Sequence, residues 1–206
     1  RDAGITTESI YNRAKMIHDI KTSNPSDYMY DTGMTDIHGK PIMKFEPTVM
    51  IIDSVKLVLS EKISQADETT NMTGAQNAKT NSEYYSKMLP LCKMANIIVF
   101  FINHITVDVN TGFLPKKAEL AYLKQGEHIA GGRSLTYIQN NIFRLDIKSK
   151  LKPEEGLGIS GSTVSLDVVK SRTNTSSRGK CTLVFDQATG YDNDLSLFMM
   201  LKDRKL

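Results

Sequence analysis

The chain has 206 residues, enough for one α/β domain with a sizeable core or slightly less than one large domain. Lys plus Arg exceed Asp plus Glu by only 3 (26 against 23), a bias too small to identify a partner. The two cysteines, Cys92 and Cys181, give neither a disulfide framework nor a metal-ligand spacing, no stretch is long and apolar enough to span a bilayer, and no signal-peptide pattern opens the chain.

Residues 6–21 open with Thr6-Thr7-Glu8 and place Ile10, Ala14, Ile17 and Ile20 at helical spacing, which predicts a helix ended by Asn24-Pro25-Ser26. Residues 27–46 hold Asp31-Thr32-Gly33 and His38-Gly39-Lys40-Pro41 and read as an irregular or hairpin insertion. Two apolar runs follow, Thr48–Asp53 and Ile97–Asn103, each stopping at polar residues. Continuous runs of this kind mark strands of a parallel sheet with helices on both faces. Between them, polar residues 60–74 read as an exposed loop, and 75–95 as a helix that Pro90 kinks or breaks one turn before its end. Residues 105–130 form a long loop closed by Gly131-Gly132, and Ser134–Asn140 a short helix. From Ile142 the pattern changes to β: Phe143–Ile147, Thr163–Lys170 and Cys181–Asp186 alternate or run as strands, with turns at 153–161 and 173–179. A last helix starts at Leu195.

Polar groups that end parallel strands lie at the carboxyl rim, where open α/β sheets bind ligands. Asp53 at such a place suits the magnesium of a nucleoside triphosphate, and equally suits capping of the next turn. Asn103-His104 ends the second run and leads into the long loop, a position from which a histidine contacts a terminal phosphate or simply completes a structural hydrogen bond. Lys170 and Arg172 share one face of a strand end, an arrangement that fits a phosphate or ordinary exposed charge. Residues 144–180 carry eight basic side chains against four acidic ones. In 105–133, Lys116, Lys117, Lys124 and Arg133 interleave with Phe113 and Tyr122, as a single-stranded nucleic acid requires of its phosphate and base contacts, although Asp108, Glu119 and Glu127 offset the lysines.

Taken in order, five stretches resemble the RecA/RadA recombinase family, especially the RecA-like, UvsX-type recombinases of tailed bacteriophages. They are Met50-Ile-Ile-Asp-Ser-Val55, Phe101-Ile-Asn-His104, Gly131-Gly132 leading to Phe143-Arg-Leu-Asp-Ile147, Val168-Val-Lys-Ser-Arg172, and Val184-Phe-Asp-Gln-Ala-Thr-Gly-Tyr191. The resemblance spans roughly residues 47–206 and implies a RecA-like P-loop NTPase core, with a mostly parallel central sheet flanked by helices and a C-terminal antiparallel meander. It makes Asp53 the Walker B carboxylate, acting on Mg2+ through water beside Ser54, and His104 the γ-phosphate sensor. Lys170 and Arg172 become the pair that reaches the ATP of a neighbouring subunit. Residues 60–73, with Lys62, match the first DNA loop and 105–130 the second. The implied protein is a DNA-dependent ATPase of the bacterial host cytoplasm or nucleoid, filamentous on single-stranded DNA, exchanging strands with double-stranded DNA, and served by recombination mediator and single-strand-binding proteins.

Two family features lie outside these residues. No Gly-x-x-x-x-Gly-Lys-Ser/Thr occurs, so the phosphate cradle is missing, and nothing in residues 1–5 supplies the catalytic glutamate. The expectation is a partial core whose first strand and P-loop lie upstream of Arg1, inactive alone. The alternatives are a RecA-fold replicative helicase motor, separated by duplex unwinding, and a non-catalytic RecA-fold module that binds only DNA or a recombinase.

Overall fold

The structure, a computed structural model, describes residues 5–55, 58–59, 73–107, 120–129, 133–152, 160–173 and 179–204. It is mixed α/β, with small sheets that are parallel in one case and antiparallel in the others. The chain divides into two compact units, Arg1–Ile138 and Gln139–Leu206.

The first unit begins with α1 (Thr7–Ser23), whose amino terminus Thr6 and Ser9 close reciprocally as a capping box. Thr7, Ile10, Ala14 and Lys21 recur at helical spacing, and this is the buried face. A single turn, α2 (Pro25–Tyr28), starts at a proline whose missing N–H is no loss there. It leads into a hairpin of β1 (Met29–Thr35) and β2 (Pro41–Phe45). Asp36 accepts the backbone N–H groups of His38 and Lys40 at 2.8 and 2.9 Å, and Gly39 takes φ +74° to close the turn. The segment expected to be irregular or a hairpin is a hairpin, with a register irregularity between Asp31 and Thr35.

β3 (Thr48–Asp53), α3 (Thr73–Met94) and β4 (Ile97–Ile102) form a parallel crossover unit, paired in unbroken register from Thr48↔Ile97 to Asp53↔Ile102. The core gathers Ile10 and Ala14 of α1, Ile52 of β3, Tyr85, Met88 and Cys92 of α3, and Ile97 of β4, with Val55, Val58 and Leu135. Tyr85 meets Phe101 edge to face at 5.1 Å. These contacts lie on one face of the two strands. Val49, Ile51, Ile98, Phe100 and Ile102 on the other face are exposed, so the expectation of cover on both faces is corrected: among the described residues, α1 and α3 both pack on the same side.

Two other expectations change. Of the kink or break expected at Pro90, the break does not occur, and the helix runs through that residue. Proline at 90 removes one donor, to the carbonyl of Ser86, but Ser86 and Pro90 are both exposed, so that carbonyl is not buried without a partner. Residues 105–130 are not loop throughout. β5 (Ile105–Val107) and β6 (Glu127–Ile129) pair antiparallel and close the segment at its base, before α4 (Arg133–Ile138).

The lower end of this unit is fixed by Lys21. Its ammonium donates to the carbonyl of Ala95, just past the end of α3, at 3.0 Å and also to that of Glu46. A cation there complements the partial negative charge of a helix carboxyl terminus. Asn96, at φ +51°, donates its side-chain amide to Phe45 at 2.8 Å and completes the junction.

The second unit is a four-stranded antiparallel sheet in the order β10-β9-β8-β7, the expected meander. Its strands are β7 (Asn141–Leu151), β8 (Gly161–Ser171), β9 (Lys180–Asp186) and β10 (Gly190–Asp192). The expected turns at 153–161 and 173–179 fall largely outside the described residues. α5 (Asn193–Asp203) is capped by Asp192, which accepts the Leu195 N–H at 2.9 Å. It is tied to β9 where Val184 donates its N–H to the Ser196 hydroxyl at 2.8 Å.

Candidate functional site

The parallel register decides where the strand-end residues fall. Asp53 is the last residue of β3 and pairs with Ile102, the last of β4, so Asn103 and His104 leave the sheet on the same carboxyl rim. Asp53 and His104 are both exposed, and the Asn103 side chain accepts the His104 backbone N–H at 2.9 Å, shaping the turn that presents the ring. The Asp53–Ser54 peptide is cis. Ser54 itself is buried, at 5% exposure.

Magnesium retains much of its water and takes one or two carboxylates plus phosphate oxygens, so a lone accessible carboxylate at a strand end fits it. Among the described residues no cluster of three or more His, Cys, Asp or Glu is placed to hold a metal ion.

Beyond His104 the chain enters the β5–β6 pair at once: Ile105↔Ile129, Thr106↔His128, Val107↔Glu127. The rim histidine thus stands one residue from the base of the intervening segment. Near the far side of that base, Tyr122 is half-buried with its phenol 3.3 Å from the Thr136 hydroxyl of α4. Lys124 is exposed, and its backbone N–H donates to the buried Glu127 carboxylate at 2.7 Å. Of the other expected DNA contacts, Lys62, Phe113, Lys116 and Lys117 lie outside the described residues. Arg133 is placed only as the first residue of α4.

Lys170 and Arg172 belong to the second unit. Lys170 pairs with Ile142, and the Arg172 backbone donates to Asn140 at 2.9 Å, so both cations sit where β8 ends beside the start of β7. Burial, with a smaller push from the neighbouring Arg172 charge, holds the Lys170 ammonium below the usual lysine pKa. Arg172 is exposed. The basic strip of 144–180 is less positive than its composition: Arg144 is buried and bidentate to Asp146 at 2.7 and 2.9 Å, and Lys180 pairs with Asp167 at 3.2 Å.

Sequence reasoning missed Asn77, Asn81 and Lys21. Asn77 and Asn81 occupy the stripe of α3 that continues into Tyr85, Met88 and Cys92. The signal was present in the spacing, since two amides preceding an apolar stripe at intervals of four are out of place on a core face unless they bind something.

No helix among the described residues is long and apolar enough to cross a membrane. Against this geometry, no protein-family model matches the sequence, and no curated protein matches it significantly.

Proposed function

We propose that this chain is the Walker B side of a RecA-like ATPase that forms filaments on single-stranded DNA and promotes strand exchange. The observation that carries the reading is the common rim of Asp53 and His104, one residue from the β5–β6 base of the following segment. That layout joins a carboxylate suited to nucleotide-borne Mg2+, a ring able to hydrogen-bond a terminal phosphate, and a segment whose base that ring adjoins.

In this reading Asp53 would help hold a magnesium ion bound with ATP, which would supply positive charge against that developing on the phosphates. His104 hydrogen-bonds the terminal phosphate and biases residues 105–130 toward DNA binding. Lys170 and Arg172 supply positive charge to the ATP of a neighbouring subunit. No phosphate-cradle motif occurs among these 206 residues, and in this reading a longer protein that supplies one carries the hydrolysis. The deciding experiment measures ATP hydrolysis by that protein with and without single-stranded DNA, together with joint-molecule formation. Stimulation with strand exchange supports the reading. Unwinding of duplex with directional translocation identifies the helicase instead, and DNA binding indifferent to ATP identifies a non-catalytic module.

A further inference from the structure

The stripe of α3 that faces the core is Asn77, Asn81, Tyr85, Met88 and Cys92, and its first two members are amides. Both are used on the segment that leaves Asp53 or on its support. Asn77 donates its side-chain N–H to the carbonyl of Val58 at 3.0 Å. Asn81 accepts the hydroxyl of Thr7, and both residues are 0% exposed. Thr7 in turn donates its backbone N–H to the carbonyl of Leu59 at 3.1 Å, beside an isolated parallel bridge between Thr6 and Leu59. Val58 donates back to Val55 at 3.2 Å, and Val55 and Val58 are buried at 2% and 3% exposure.

The carbonyls of Val58 and Leu59 therefore go to Asn77 of α3 and Thr7 of α1. Asn81 and Thr7 hold each other so that the Thr7 N–H points at Leu59, and Asn77 reaches Val58 directly. Ser54 and Val55, the residues that follow the carboxylate, are packed into the core by these same ties.

We propose that Asn77 is a positioning residue for Asp53: by fixing Val58, whose N–H is bonded to the Val55 carbonyl, it holds Val55 and Ser54 and with them the direction of the Asp53 carboxylate. The inference rests on the reading of Asp53 as the carboxylate that orders magnesium with ATP. Groups that orient a metal-binding carboxylate from behind alter metal affinity about 10–100-fold when removed.

The test uses the full-length protein with ATP present and reads half-saturation by Mn2+ from its electron paramagnetic resonance signal, alongside the thermal midpoint. Asn77→Leu is expected to raise the Mn2+ concentration at half-saturation about tenfold or more. Asn77→Gln, which keeps a donor, is expected to restore it toward wild type. Asn77→Ser, too short to reach Val58, carries the same expectation as Asn77→Leu and replaces it if that variant does not fold. A folded Asn77→Leu or Asn77→Ser protein with wild-type half-saturation, beside an Asp53→Asn protein that binds Mn2+ more weakly, overturns the positioning role alone. Unchanged Mn2+ binding in Asp53→Asn overturns the reading of Asp53 itself.

Discussion

Asp53 lies directly across the parallel ladder from Ile102, so the carboxylate and the Asn103-His104 turn emerge side by side from adjacent strands. Two strands joined by a helix have no other way to bring these residues together, because parallel pairing places both carboxyl ends on one rim. Asp53→Asn in the full-length protein is expected to lower DNA-stimulated ATP hydrolysis by about a hundredfold at limiting Mg2+, with the fold unchanged by circular dichroism. Hydrolysis at the wild-type rate at every Mg2+ concentration removes Asp53 from the site.

Lys170→Ala combined with Arg172→Ala is expected to lower DNA-stimulated hydrolysis by about a thousandfold, the range in which cations act on the phosphoryl-transfer transition state. Lys170 lies in β8 opposite Ile142, and Arg172, one residue past the strand, is tied to Asn140 through its backbone N–H, a bond the side-chain substitution leaves in place. The measurement is steady-state ATPase of the double variant, and a rate close to wild type rules out a role at a neighbouring subunit's ATP.

Much of this arrangement is legible in the sequence, and the limits have physical causes. The two apolar runs mark β3 and β4, and a helix between them suits the parallel pairing that places both strand ends on one rim. The exposure of one face was not legible, since a run such as Ile97–Ile102 reads the same whether one face or two are covered. The β5–β6 pair was missed because three residues a side leave no periodicity to detect, and 19 residues separate the strands. Lys21 was invisible as a buried residue because a helical lysine normally signals a solvated face, and only the fold brings the carbonyls of Glu46 and Ala95 to it.

Burial pushes the Tyr85 phenol up to about 12 from an ordinary 10.0. The folded protein then retains a proton that the unfolded chain releases, so stability falls as pH rises from about 10 toward about 12. The Tyr85 hydroxyl also has no hydrogen-bond partner among the described residues. Tyr85→Phe keeps the ring against Phe101 and removes the unpaired hydroxyl, with an expected gain of about 1 kcal/mol at neutral pH and a shallower loss above pH 10. Urea denaturation at pH 7 and near pH 11 checks both, and a destabilised variant contradicts this account of the core.

The Cys92 thiol is buried and pushed up to about 11, whereas Cys181 is partly exposed. Since the thiolate is the reacting species, Ellman's reagent at pH 8 is expected to label one thiol rapidly and the other only on unfolding. The Cys181→Ser protein retains only the slow phase. A fast phase in that variant contradicts the burial of Cys92.

Gly161 sits where β8 crosses closest to β9: a Cβ built there meets the Phe185 carbonyl oxygen at 1.8 Å. Gly161→Ala must displace backbone and is expected to destabilise the second unit by about 1–3 kcal/mol. Amide exchange across β8 and β9 locates the effect, and protection equal to wild type in both strands contradicts that close approach.

The most direct test of the central claim compares single-stranded DNA affinity of the full-length protein with and without a non-hydrolysable ATP analogue, in wild type and in His104→Ala. The account predicts that nucleotide tightens DNA binding in wild type by about tenfold or more, and that His104→Ala loses this gain while still binding nucleotide. Equal tightening in both proteins, or none in wild type, contradicts it.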